Sequence, residues 1–195
     1  MRIPKFLALG IFGLLLFGGG VVAGYARWYG KVRPYPEIRS QRVVTLAATT
    51  SDYDTVVLGD SIGEGIALAG PCGSTFNAAV GYTESRHVRM LGRPKLIIVF
   101  IGANDWPHLY RRDVSALIGR LPRPLILVDT SPTAATKAFA SGLAKRAGIR
   151  LVSTVGIETV DGVHPSVRGA RTLKKRVEEA CSELAEIQRA YLVAS

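Results

Sequence analysis

From residue 52 onward the apolar residues come in blocks. Short, almost unbroken apolar runs occupy 54–59, about 75–79, 95–101, 124–129 and 149–153. Between them lie stretches at about 62–69, 83–91, 111–119, 133–147 and 166–190 whose composition and spacing suit helices. A strand that is apolar on both faces belongs in a parallel sheet with helices packed on each side. The last helical stretch shows the period best. Leu173, Val177, Ala180, Cys181, Leu184 and Ile187 fall near i, i+3, i+4 and i+7, one apolar face for a sheet. Gly148 stands where the preceding helix needs a C-cap. The pattern predicts an alternating α/β body with no internal repeat and no low-complexity tract.

The N-terminal part reads differently. Residues 6–26 (Phe6 to Ala26) carry no charge and are mostly Leu, Ile, Val, Phe and Gly, with Arg2 and Lys5 ahead of them. About 20 apolar residues span a bilayer as a helix, and this run exceeds the ~7–15 of a signal-peptide core. The expectation is an N-terminal transmembrane anchor over 1–26, a basic, proline-containing linker over 27–51, and a folded domain over 52–195. A cleaved signal peptide is the alternative, since Gly24-Tyr25-Ala26 offers small residues for cleavage. Arg27, Lys31, Arg33, Arg39 and Arg42 follow the run and oppose export under the positive-inside rule. The short basic N-terminus favours a single-pass inner-membrane protein whose folded domain faces the periplasm or cell exterior.

The net charge of +10 changes meaning once it is placed along the chain. Residues 1–26 contribute +2, residues 27–50 +4 and residues 51–195 +4. Much of the excess therefore flanks the apolar run, where it can attract anionic headgroups. The dense basic run from Arg168 to Arg176 is followed by Glu178, Glu179, Glu183 and Glu186, an ordinary solvated helix face. No nucleic-acid partner is expected. Cys72 and Cys181 are far apart and lack metal-binding spacing, so no metal and no cofactor is expected. One disulfide in an oxidising compartment is compatible with them.

Three polar clusters sit where strands end. Gly59-Asp60-Ser61 follows the run Thr55 to Leu58, Gly102-Ala103-Asn104-Asp105 follows Leu96 to Ile101, and Asp161-Gly162-Val163-His164-Pro165 follows the fifth run. In a parallel sheet these ends share one edge, where open α/β folds place their sites. A serine hydroxyl needs a base to become a nucleophile, and His164 is the plausible base. Asp161 can take the other ring N–H and fix the tautomer. Asn104 and backbone N–H groups near Gly81 can stabilise an oxyanion. Gly59-Asp60-Ser61-Ile62-Gly63 also satisfies the G-x-S-x-G elbow of α/β-hydrolases. That fold places several strands before its elbow, whereas here one strand of the body precedes Ser61.

Gly59-Asp60-Ser61, Asn77 to Gly81, Gly102-Ala103-Asn104-Asp105 and Asp161 to His164 together resemble the SGNH (GDSL-like) hydrolases, block by block and in order. The resemblance covers about residues 54–175. It implies a three-layer α/β/α, flavodoxin-like fold with a five-stranded parallel sheet. It implies Ser61, His164 and Asp161 as catalytic triad, and Ser61 N–H, Gly81 N–H and the Asn104 amide as oxyanion hole. In many members a glycine lies five residues after the second-block asparagine. Here Tyr82 takes that place, and its N–H is the alternative to Gly81. If the sheet has the flavodoxin order, the first and last helices share a face, and Cys72 and Cys181 approach each other at the edge opposite the site. Two separate buried thiols remain the alternative.

Other residues carry less. Tyr82 and Trp106 are candidate pocket lining, with Tyr110 equally suited to the core. Asp60 and Asp105 are expected to cap helices or hold loop amides, Asp129 to serve a turn, and His87 and His108 to be surface or packing residues. The expected function is a membrane-anchored serine esterase, acting as a monomer on small acyl esters or acylated carbohydrate, acetyl foremost. Alternatives are an O-acyltransferase using the same acyl-serine, a lipid esterase or lysophospholipase, and a non-catalytic binding module.

Overall fold

The apolar runs form the five strands of one parallel sheet, β1 (Thr55–Gly59), β2 (Thr75–Asn77), β3 (Leu96–Ile101), β4 (Leu125–Asp129) and β5 (Arg150–Ser153), in the order β2-β1-β3-β4-β5. The computed structural model describes residues 53–88, 90 and 94–194, the last four by backbone alone. The expected anchor over 1–26 and linker over 27–51 lie outside the described residues. No helix among the described residues is long and apolar enough to cross a membrane.

Alternation along each strand divides the core into two layers. Val56, Leu58, Ile97, Val99, Ile101, Leu125 and Leu127 face one side. There they pack against α2 (Pro107–Arg120), through Val114, Leu117 and Ile118, and α3 (Ala134–Ala147), through Ala140. Val57, Ile98, Phe100, Ile126, Val128 and Val152 face the other side. They meet α1 (Ser61–Glu64) at Ile62 and α4 (Val167–Ala194) at Leu173, Val177 and Ala180. Each such aliphatic side chain contributes about 1.5–3 kcal/mol when fully buried. This is the three-layer α/β/α arrangement the sequence implied, and it aligns the C-terminal ends of all five strands on one edge.

Three helical expectations need correction. No helix forms over 83–88, where the chain makes turns. Its backbone groups are used elsewhere: Ser85 N–H donates to Asp105 Oδ1, and Arg120 Nη2 donates to the carbonyls of Ser85 and Val88. The stretch at 62–69 is helical only to Glu64, because Asn77 Nδ2 takes the carbonyls of Gly63 and Ile66. A 3₁₀ turn, Gly70–Cys72, follows it. The helix expected at 111–119 starts earlier, at Pro107, since a proline fits the first helical position.

Cys72 and Cys181 are joined by a disulfide, Cα to Cα 5.2 Å, at the edge away from the strand ends that carry Ser61 and Asn104. It pins the 3₁₀ turn to α4 and resolves the choice between a bond and two thiols. The bond closes 109 residues of chain, and loop-closure entropy assigns such a link about 4–5 kcal/mol. Replacing both cysteines by serine should lower the urea midpoint of unfolding substantially. Dithiothreitol should do the same to the unaltered protein and nothing further to the double variant. Equal midpoints for the two oxidised proteins would remove the bond from the account of stability.

Candidate active site

The site begins at a glycine. Gly59 ends β1 with φ +127°, and a Cβ there would lie 1.9 Å from the carbonyl oxygen of Phe100 on β3. No other residue fits, so the chain can turn sharply out of the strand at this point. Asp60 N–H then donates to Phe100 O at 3.1 Å, and Asp60 Oδ1 caps α1 by accepting from Ile62 N–H at 3.0 Å. Ser61 is thereby the first residue of α1, at the sheet edge. Its N–H is one of those a helix's own ladder leaves unused.

His164 reaches Ser61 from the loop between β5 and α4. Ser61 Oγ and His164 Nε2 are 3.0 Å apart, and His164 Nδ1 lies 2.7 Å from Asp161 Oδ2. The spacing Asp-x-x-His has a local cause. Asp161 Oδ1 accepts the backbone N–H of Val163 at 2.9 Å and of His164 at 2.7 Å, which leaves Oδ2 for the ring. With Nδ1–H given to Asp161, Nε2 is the free base facing the serine hydroxyl. The ring N–H, then the two backbone N–H groups, hold the Asp161 carboxyl well below the usual carboxylate range. The loop is fixed at both ends. Val160 N–H donates to His164 O, and Glu158 accepts from Ser166 Oγ and pairs with Arg168. His164 and Asp161 side chains are about half exposed, 48% and 50%, so the triad is open to solvent.

The groups expected as oxyanion donors are partly engaged by other residues. A Cβ on Gly81 would lie 3.7 Å from Ser61 Cβ, so its backbone is beside Ser61. Its N–H is already used: it donates to Glu64 Oε2 at 2.8 Å. Glu64 was not anticipated. It is one helical turn past Ser61, and that spacing alone could have suggested that its carboxylate returns to the site. Asn104 Nδ2 donates to Thr83 O at 3.3 Å, which occupies one of its two hydrogens. Tyr82 takes a positive φ of 60° and is exposed.

Thr130 also escaped the sequence reading, and Asn77, named there only within its block, takes a positioning role. Thr130 Oγ1 donates to Asp60 Oδ2 at 2.7 Å and accepts from Ala103 N–H at 3.1 Å, joining the serine and asparagine loops. Asn77 ties α1 to the end of β2 through its amide and accepts from Ala79 N–H. Asp60, Asp105 and Asp129 take the structural roles expected of them. Asp60 is a helix cap, Asp105 holds Ser85, and Asp129 accepts from Tyr110 and from Ser131 N–H in a turn. Tyr110 is buried in the core. A cavity of about 340 Å³ lies beside Ile62 and Val163, bordered by the ends of β4 and β5. Tyr82 and Trp106, expected as lining, do not border it. Both are exposed, and Tyr82 follows β2, on the other side of β1. Among the described residues no cluster of His, Cys, Asp and Glu is arranged to hold a metal ion.

No protein-family model and no curated protein matches the chain. Solved structures do align with it. One, described as a GDSL-like lipase from Bacteroides ovatus, has TM-score 0.49 and 12% identity over 66% of this chain and 98% of its own. A carbohydrate acetylesterase from Sinorhizobium meliloti has TM-score 0.47 and 13% identity over 68% and 99%. An inhibitor-bound aryl esterase of M. smegmatis has TM-score 0.42 and 14% identity over 70% and 99%. At such identities the reading of the site rests on its own geometry.

Asp60 gives this site a measurable pH dependence. Burial pushes its carboxyl from 3.8 up to about 6, partly offset by the hydrogen bonds from Thr130 and Ile62. Below its ordinary value the group is protonated in folded and unfolded chain alike. As pH rises toward about 6 the unfolded chain ionises first, so stability falls, by about 3 kcal/mol once both forms are ionised. Urea unfolding of Asp60→Asn beside the parent protein should show the difference moving in the variant's favour from about pH 4 to about pH 7. A difference independent of pH would mean that Asp60 ionises in the fold at its ordinary value.

Proposed function

We propose that this chain is a serine ester hydrolase of the SGNH type, acting as a monomer that removes short acyl groups, acetyl foremost, from carbohydrate hydroxyls. One observation carries the reading: Ser61 Oγ, His164 and Asp161 form a continuous hydrogen-bonded chain at the sheet edge. Ser61 Oγ attacks the ester carbonyl while His164 Nε2 takes its proton. Asp161 stabilises the resulting imidazolium and does not itself take the proton. Ser61 N–H, Gly81 N–H and Asn104 Nδ2–H receive the oxyanion, once the Glu64 carboxylate has left Gly81. His164 then protonates the departing alcohol, and water attacks the acyl-serine by the same steps in reverse. An O-acyltransferase would differ only in the last acceptor, a sugar hydroxyl, and product analysis with and without that sugar tells the two apart.

The tether and location belong to this proposal. The apolar run over 6–26 supports a membrane-anchored protein, and the Cys72–Cys181 bond supports an oxidising, extracytoplasmic setting. A half-exposed triad supports a small acyl group, because a long chain gains about 0.8 kcal/mol per methylene only where it is buried. One observation favours a lipid ester instead. Val155, Val160, Val163 and Val167, on and beside the His164 loop, are exposed and give the site an apolar rim.

A fluorophosphonate probe should label the protein at Ser61 and leave Ser61→Ala unlabelled. Ser61→Ala and His164→Ala should lose several orders of magnitude in turnover, and Asn104→Ala about 10²–10³ in kcat. Near-normal turnover by folded Ser61→Ala sinks the assignment.

Acyl length is read separately, from kcat/KM for 4-nitrophenyl esters from acetate to decanoate. The short-acyl reading expects a fall beyond butyrate. A steep rise toward decanoate would replace it with the lipid reading.

A further inference from the structure

The cavity beside the triad has a chemistry that the hydrolysis itself does not use. Its charged lining residue is Lys137, on the first turn of α3, and no aspartate or glutamate lines it. Lys137 is partly buried, and its Nζ donates to Thr154 Oγ1 at 3.0 Å. Among the described residues no carboxylate lies within ion-pair distance of it. An ammonium has three donors. Here one goes to a neutral hydroxyl and none to a counter-charge, in a setting where partial burial makes a counter-charge worth more than in water.

The rest of the wall is polar too. Thr130, Ser131, Thr154 and Thr159 all border the cavity. Ser131 is 1% exposed, and its hydroxyl is close enough to hydrogen-bond the Tyr110 hydroxyl. The cavity therefore combines one uncompensated positive charge with several hydroxyls.

Position decides which half of an ester would lie there. His164 must hand its proton to the departing alcohol, so the alcohol leaves beside the His164 loop. Gly162 and Val163 of that loop line the cavity, as does Ile62 next to the nucleophile. Gly81, the backbone oxyanion donor, is on the far side of β1. From these placements we infer that the cavity is a subsite for a carboxylate on the alcohol half of the substrate, with Lys137 as its counter-charge. The substrate class is then an acyl ester of an acidic, polyhydroxylated sugar. A single ammonium matches the single charge of a carboxylate better than a phosphate dianion. This inference rests on the ester-hydrolase reading for its orientation, but the anion site itself does not.

Two measurements keep those parts separate. In the first, kcat/KM is measured for an O-acetylated methyl galacturonoside and for the matching O-acetylated methyl galactoside. The acidic ester should be preferred about tenfold, equivalent to ~1.4 kcal/mol. Lys137→Met should abolish the preference, and Lys137→Arg should retain most of it. Because the readout is a ratio, a general loss of rate in a variant does not affect it. No preference, or a preference that survives Lys137→Met, overturns the subsite.

In the second, the full chain carrying Ser61→Ala is titrated calorimetrically with galacturonate, galactose and galactose 1-phosphate. Galacturonate should bind more tightly than the other two, and Lys137→Met added to this chain should erase the difference. Tighter binding of the phosphate overturns the carboxylate assignment. If neither ester is hydrolysed and Ser61 takes no fluorophosphonate, the hydrolase reading fails, while the titration still decides the anion site.

Discussion

A buried hydrogen bond between Asp60 and Thr130 joins the strand ends on which the site is built. Asp60 is fully buried, and its two oxygens divide the work. Oδ1 caps the helix that begins at Ser61, and Oδ2 takes the Thr130 hydroxyl at the end of β4. The same hydroxyl oxygen accepts from Ala103 N–H, one residue before Asn104. The Ser61 and Asn104 loops are thus held to a common point by one side-chain pair. Burying a carboxylate is unfavourable unless hydrogen bonds compensate it. The upward push on its ionisation shows that the compensation here is incomplete. The protein retains a group that weakens the fold at neutral pH, at the place where the proposed chemistry needs fixed geometry.

The histidine is held by different means. Its loop is largely self-sufficient: Asp161 binds two backbone N–H groups and the ring of His164, and Glu158 with Ser166 and Arg168 anchors the loop to the start of α4. Gly169 allows that close approach, since a Cβ there would fall 2.0 Å from Glu158 O. The disulfide secures the same helix near its middle, at Cys181. So α4 is fastened covalently at its middle, and the His164 loop leads into its start. A long helix held in this way limits how far His164 can drift from Ser61.

What the sequence revealed and what it hid divide along physical lines. Sheet, layers and strand-end clusters were legible because they follow from runs such as Leu96 to Ile101, where burial on both faces leaves little choice. Ser61, His164 and Asp161 were legible because their spacing is local or lies at strand ends. The missed features depend on tertiary partners. Thr83 to Val88 has a plausible helical composition, yet Asp105 and Arg120 take its polar backbone groups first. Thr130 reads as an ordinary turn threonine until β1 and β4 are brought to the same edge. Lys137 reads as a solvated helix lysine, and only the cavity in front of it gives its charge a setting.

Glu64 shows how far local sequence can mislead about readiness for reaction. A serine, a base and three donors suggest a site poised for an ester. In the resting structure a carboxylate already takes the Gly81 N–H. On the proposed mechanism that carboxylate and the developing oxyanion compete for one donor. Two like charges ~4 Å apart near a protein surface repel by about 4 kcal/mol, so both cannot stay. Glu64 is exposed, and exposed side chains change rotamer in picoseconds to nanoseconds, far faster than typical turnover. Its departure therefore need not limit the rate. What it changes is the free-energy reference: substrate binding must exchange a charged acceptor for a neutral carbonyl oxygen at Gly81. The cost of releasing Glu64 falls equally on the bound substrate and on the transition state, since both are reached from the same free protein. On the proposed mechanism the resting carboxylate therefore raises KM and leaves kcat unchanged.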